Sequence, residues 1–392
     1  MSGEASGAPA MLAPQKTSVG HDVPVQTRSE RFQSSNVEDF AGVTGREPEW
    51  KLSPVSKLDT LLHGSLDGTE YPLETSQSAG FTVSWVAPAE APRGVAGLPE
   101  DRVSGNAWSS TQSVLVLEIS GDHKETLTLE RNALGDTARA AHTIIRVLPQ
   151  SHATLVVRST GDALLAENVE FDVQTGANLQ VVHLQEWNAG SRHYAAHFAT
   201  IAKDASLSHV VVSVGGDVVI VNPSVHLVGQ GSEAHMWGAY FADATQHLEH
   251  RVYVDHQGPN TVSRVTYKGA LHGKGARTVW VGDVLIGPDA QGTDSYEQNR
   301  NLVLSDGTRA DSIPNLEIKT GDIQGAGHAS ATGRFDDEQL FYLQSRGIEE
   351  LDARRLVVMG FLVDVISKIK DSALVAELTE KIQAKLSLTE EG

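Results

Sequence analysis

The sequence predicts a mainly β chain with helical ends, and among β architectures it favours a solenoid. From about residue 111 to 330, short β-branched runs follow one another, with Gly, Asp, Asn or Pro between them every 8–15 residues. No helical pattern of 10–15 residues intervenes, which disfavours alternating strand–helix units. A weak internal period is also present. "GANLQVVHL" starts at 176, "DASLSHVVV" at 204, "GSEAHMWGA" at 231 and "PNTVSRVTY" at 259, spaced by 28, 27 and 28 residues. A fixed period favours stacked coils, each burying its face on the next. A sandwich and a barrel stay open on these patterns alone, as does whether 28 residues form one coil or two.

Taken in order, residues 1–35 are rich in Ser, Gly, Ala and Pro and bury too little apolar surface to order themselves, so they are expected to form a disordered tail. Residues 36–110 are expected to form a small helical region with a long loop. Within it, Trp50, Leu52, Val55, Leu58 and Leu61/Leu62 recur at helical spacing before Gly64, and 87–110 reads as the loop or an insertion. The strand-rich core is placed at 111–334, with runs such as "SVLVLEI" (113–119), "LSHVVVSV" (207–214) and "RTVWVGDVLI" (277–286). Residues 335–392 turn helical. "DDEQLFYLQSRGI" offers Leu340, Phe341 and Leu343 for burial, acids for the first turn and Gly347 as the break. Residues 349–369 are strongly apolar from Leu356 to Ile366, and Leu374, Leu378, Ile382 and Leu386 form a stripe at every fourth residue.

Composition narrows the function. Fifty acidic against 31 basic residues give a net charge of −19, so the chain lacks the basic face that nucleic acid requires. There is no cysteine, which excludes disulfides, a thiolate zinc site and a cysteine nucleophile. The first residues lack the pattern of a secretory signal, and no apolar run nears the ~20 residues of a membrane span. A cytoplasmic protein is therefore expected.

Candidate chemistry is sparse. "GALHGKGA" (269–276) has three residues between its outer glycines, and Gly275 stands where a hydroxyl should meet magnesium, so no nucleotide is expected on this chain. His193 and His197 are four apart in "HYAAH", but their surroundings read as strand and turn rather than helix. His247, His250 and His256 lie near Glu249 and Asp255, a set that could bind metal but reads better as strand histidines. Asp336, Asp337 and Glu338 read as a helix start. No nucleophile elbow or catalytic triad is marked, so no catalytic residue is assigned. His328 stands alone in a small-residue stretch, "GAGHASATG".

The stretch from about 250 to 366 resembles the SufB/SufD family of iron–sulfur cluster assembly proteins, most of all its SufD branch. The residues that carry this are "VDHQGPNTVS" (254–263), "YKGALHGKGARTVWVGDVLIGPDAQGTDSYEQNRNLVLS" (267–305), "IPNLEI" (313–318) and "GHASATGRFDDEQLFYLQSRGI" (327–348), with "EPEWKLSP" (47–54) nearer the start. The resemblance implies a right-handed parallel β-helix between helical N-terminal and C-terminal regions. It implies a non-catalytic scaffold subunit that pairs with a SufB-like paralogue and docks a SufC-like ABC-type ATPase. No nucleic acid or membrane partner is implied, and a homodimer stays open.

A transient iron–sulfur cluster would form on the complex, and the resemblance leaves open whether a flavin takes part. Related proteins carry Cys-x-His-Gly where this chain has Ala326, His328 and Ala329. His328 is thus the expected cluster ligand, with thiolates supplied by the partner subunit. Leu340, Phe341, Tyr342 and Arg346 mark the expected ATPase-docking region. The alternatives are a purely structural paralogue and a β-helix enzyme acting on polysaccharide.

Overall fold

The computed structural model describes residues 32–132, 134–334 and 337–388. Most of the expected N-terminal tail, and Asp336 of the acidic helix start, lie outside them. The described strands form two nine-stranded sheets that share one core. The first runs β1 (Glu74–Thr75), β4 (Leu127–Arg131), β6 (His152–Gly161), β8 (Asn178–Trp187), β10 (Ser206–Ser213), β12 (Glu233–Asp243), β14 (Val262–His272), β16 (Thr293–Val303) and β18 (Ile323–Arg334). The second runs β2 (Phe81–Val86), β3 (Val114–Ile119), β5 (Gly135–Val147), β7 (Ala163–Val173), β9 (Arg192–Ile201), β11 (Val218–Leu227), β13 (His247–His256), β15 (Arg277–Ile286) and β17 (Arg309–Ile318).

From β3 onward the chain alternates between the sheets, and every lateral pairing is parallel. This is a β-solenoid of about eight turns. The period in the sequence is one coil of two strands: β8, β10 and β12 stack Leu179 on Leu207 on Ala234. At the first coil β1 and β2 pair antiparallel to β4 and β3, which breaks the stacking direction.

Four apolar clusters are present among the described residues, the smallest formed by Ala96, Ala196 and Phe198. One fills the lumen between the sheets, from Leu115 to Ile286. A second joins the outer face of β5, β7, β9 and β11 to α1 (Val55–His63) and α2 (Arg102–Ser110), through Leu58, Leu61, Leu62, Val103 and Ala107. A third joins the outer face of β6 to β14 to α4 (Glu350–Ile366) and α5 (Ser372–Leu388). The stripe Leu374, Leu378, Ile382 and Leu386 is buried there, each leucine contributing about 1.5–3 kcal/mol by leaving water. Strands buried on both faces lose their alternation, and β11 is accordingly buried at nearly every residue.

Two sequence expectations are corrected. The stretch 87–110 is not all loop: α2 closes it, started by Asp101, which accepts from the Ser104 backbone N–H while Ser104 reciprocates. Phe341 is not buried. On α3 (Asp337–Ser345) Leu340 packs inward, and the next residue, about 100° further round the helix, is 71% exposed. Gly347, at φ 87°, ends this helix: its N–H donates to Gln344 and that of Ile348 to Leu343.

Candidate functional site: the open last coil and the polar lumen

His328 lies on β18, which with β17 ends the solenoid; each is the terminal strand of its sheet. Register pairs His328 with Glu297 of β16, and Ala326 with Ser295. On β16 the alternate residues Ser295, Glu297, Asn299 and Asn301 are buried, so they face the lumen. Ala326 and His328, two apart on the next strand, continue that face. This spacing is how a strand presents two side chains side by side, and the register places them at the lumen's open end.

Glu297 is the unusual group here. Its side chain is 1% exposed, and among the described residues neither carboxyl oxygen has a side-chain hydrogen-bond partner. Burial, and then the negative charge of Asp283, push its carboxyl up to about 8. Its nearest cation candidate is His328, whose Nδ1 is 3.8 Å away and whose ring is 44% exposed. Gly282 makes the space: a Cβ there would lie 2.4 Å from Glu297 Oε2 and 2.3 Å from the Trp280 ring. Within this sheet, Asn299 donates to the Tyr240 hydroxyl of β12 and that hydroxyl donates to Asn301, at 2.8 Å each, and across the lumen Ser312 of β17 donates to Asn299. Pro314 lies on β17, whose ladder with β15 runs unbroken through it, so its missing N–H falls on the open side.

The docking residues are split. Leu340 is buried, whereas Phe341 and Tyr342 (56%) are exposed, with the Arg346 guanidinium 5.1 Å from the Tyr342 ring. Leu356 of α4 is exposed as well. "GALHGKGA" forms the end of β14 and the turn after it, with Gly273 and Gly275 at positive φ.

The other histidines rearrange. His247, His250 and His256 are not brought together. His247 bonds Glu249, His250 meets Ser213, and His256 meets Thr261 and Ser263. His193 and His197 do share a face, because on a strand residues four apart point the same way. His193 meets Glu167 at 2.7 Å, beside the buried Arg131–Glu167 pair, whereas His197 meets His209 at 2.9 Å. His183 completes a buried trio with those last two, a grouping the sequence reading missed. Burial lowers all three: His197 to about 3, and His183 and His209 well below the ordinary range, so each ring is neutral. The signal was available: 183, 197 and 209 are about half a coil apart.

Fold and site together define a β-solenoid with helices on both faces and a lumen that is apolar along most of its length and polar toward its last strands. A family model described as the SUF system FeS cluster assembly SufBD core domain matches residues 129–361. The chain is 43% identical over 381 residues to an iron–sulfur cluster assembly SufBD family protein of Mycobacterium leprae, covering 95% of this chain and 97% of the other. With one from Mycobacterium tuberculosis it shares 44% over 390 residues, or 97% and 98%. With Escherichia coli SufD it shares 29% over 230 residues, 58% of this chain and 54% of that protein. The chain belongs to the SufBD family of iron–sulfur cluster assembly proteins, a family of scaffold and assembly proteins. No helix among the described residues is long and apolar enough to cross a membrane.

Proposed function

We propose that the chain is a SufD-like, non-catalytic subunit of the SUF scaffold. It pairs through β17 and β18 with a SufB-like paralogue, and it docks a SufC-like ATPase around Phe341, Tyr342 and Arg346. The observation that carries this reading is His328 on the terminal strand, in register with Glu297 and facing the lumen's open end. An imidazole at a strand edge can meet a group held by a neighbouring chain. Ala326 supplies no thiolate, so the nascent cluster would be held mainly by the partner's cysteines, with His328 as one nitrogen ligand. Glu297, in register beside it, lies 3.8 Å from His328 Nδ1 and forms the inner wall of this site.

The test is co-expression with SufB-like and SufC-like chains, then anaerobic reconstitution read as iron and sulfide content. His328→Ala is expected to leave the complex intact and reduce cluster yield. No complex at micromolar concentration overturns the pairing. An unchanged cluster yield overturns the ligand role and leaves a structural paralogue.

A further inference from the structure

His183 and His209 come from the adjacent strands β8 and β10, and His197 comes from β9 in the opposite sheet. Register pairs His183 with Val211, which sets His209 one same-face step back along β10. One ring nitrogen from each lies within 4.8 Å of the others, and the ring centroids are 4.5, 5.1 and 5.3 Å apart. Phe171 presents its ring to all three at 5.8–6.0 Å. The only hydrogen bond within the trio joins His197 Nδ1 and His209 Nε2. Both nitrogens of His183, Nε2 of His197 and Nδ1 of His209 are buried without a partner among the described residues. Buried polar atoms are normally satisfied, so four unpartnered ring nitrogens within one cluster of three histidines mark a missing ligand.

The donor set says which ligand. It contains no carboxylate, since the nearby Glu167 is held by Arg131 and His193. Three imidazoles disfavour calcium and magnesium, which want oxygen, and suit zinc or ferrous iron. Tetrahedral metal–nitrogen bonds of about 2.0–2.1 Å place ligand nitrogens about 3.3 Å apart, so the rings need shift by only about 1 Å. We propose that His183, His197 and His209 form a three-imidazole site for a divalent transition metal inside the solenoid, zinc or ferrous iron, with water in the remaining position. β10 lies four strands before β18, about 19 Å away at ordinary strand spacing, so this site is separate from His328. It does not depend on the scaffold reading.

The full chain is refolded anaerobically with Zn²⁺, Fe²⁺ or, as a spectroscopic probe, Co²⁺, then washed with chelator. About one metal per chain should survive the wash, and competition between the zinc and iron arms assigns the ion. His183→Gln and His209→Gln should each lower retention at least about tenfold, while His328→Ala leaves it unchanged. The proposal is overturned if the unaltered chain keeps no metal in any arm, or if both Gln variants keep it. Should those variants fail to fold, pulsed EPR of the Cu²⁺-loaded unaltered chain decides. Three coupled imidazoles support the site, and any smaller number overturns it.

Discussion

The jacketed coils and the bare last coil are built alike and finished differently. Glu249 of β13 and Glu297 of β16 are both buried carboxylates. Glu249 accepts from the Ser53 hydroxyl at 3.0 Å, meets His247 Nε2 at 2.8 Å and pairs with Arg251. Burial alone would raise it, but Arg251 and His247 hold it at about 2. Glu297 has no such company and sits at about 8. The first ties an N-terminal segment to the sheet; the second waits at an open end. A solenoid interior is thus not uniform. Glu249, in a covered coil, has its charge satisfied by its neighbours, and Glu297, one strand in from the terminal β18, does not.

The strongest way to break this comparison is to unpair a charge in the covered coils. Glu167→Ala strands Arg131 in the lumen and should cost about 3–5 kcal/mol in denaturant unfolding. The equivalent change at the open end, Glu297→Gln, should not destabilise at neutral pH. Next in size, Leu378→Ala should cost about 2–5 kcal/mol by leaving a cavity under α5, whereas Ile318→Ala on exposed β17 should stay within about 0.5 kcal/mol.

The pH dependence sharpens the contrast. Glu297 keeps a proton that the unfolded chain releases near 4.5, so its contribution to stability falls as pH rises from about 4.5 to about 8. Glu249 contributes stability above about 4.5 that is lost as pH falls through about 2. Melting temperatures across pH should therefore lose part of the alkaline-side decline in Glu297→Gln and part of the acid-side decline in Glu249→Gln. An unchanged slope between 4.5 and 8 in the first variant would end the distinction. The smallest effect is expected from Tyr342→Ala: under about 0.5 kcal/mol in stability, with weaker capture of the SufC-like ATPase as the readout.

Much of the fold was legible because stacking imposes a period, and 28 residues recur whatever the side chains are. The α5 stripe was legible because that helix buries one face only. What escaped has physical causes. Helix α2 is short and contains Gly105, and its clearest mark is the Asp101/Ser104 cap rather than apolar spacing. Phe341 looked like core because apolar character does not reveal which side of a three-turn helix finds a neighbour. The lumen residues escaped because several of them are polar, so burial at Glu297, Asn299 or His183 has no hydrophobic signature. His328 could be singled out only through the family resemblance; its lumen-facing register with Glu297 needed the strand pairing.

Pro314 carries a further consequence. In a parallel solenoid each rung is a template for the next, so a bare final strand is chemically a growing end, open to fibrous stacking of many copies. Withholding one N–H on the open side, with Arg309, Asp311 and Glu317 spread along the same strand, makes that template imperfect. A neighbour whose hydrogen bonds skip that position and whose charges complement Arg309, Asp311 and Glu317 extends the sheet more readily than a flat copy of the same strand.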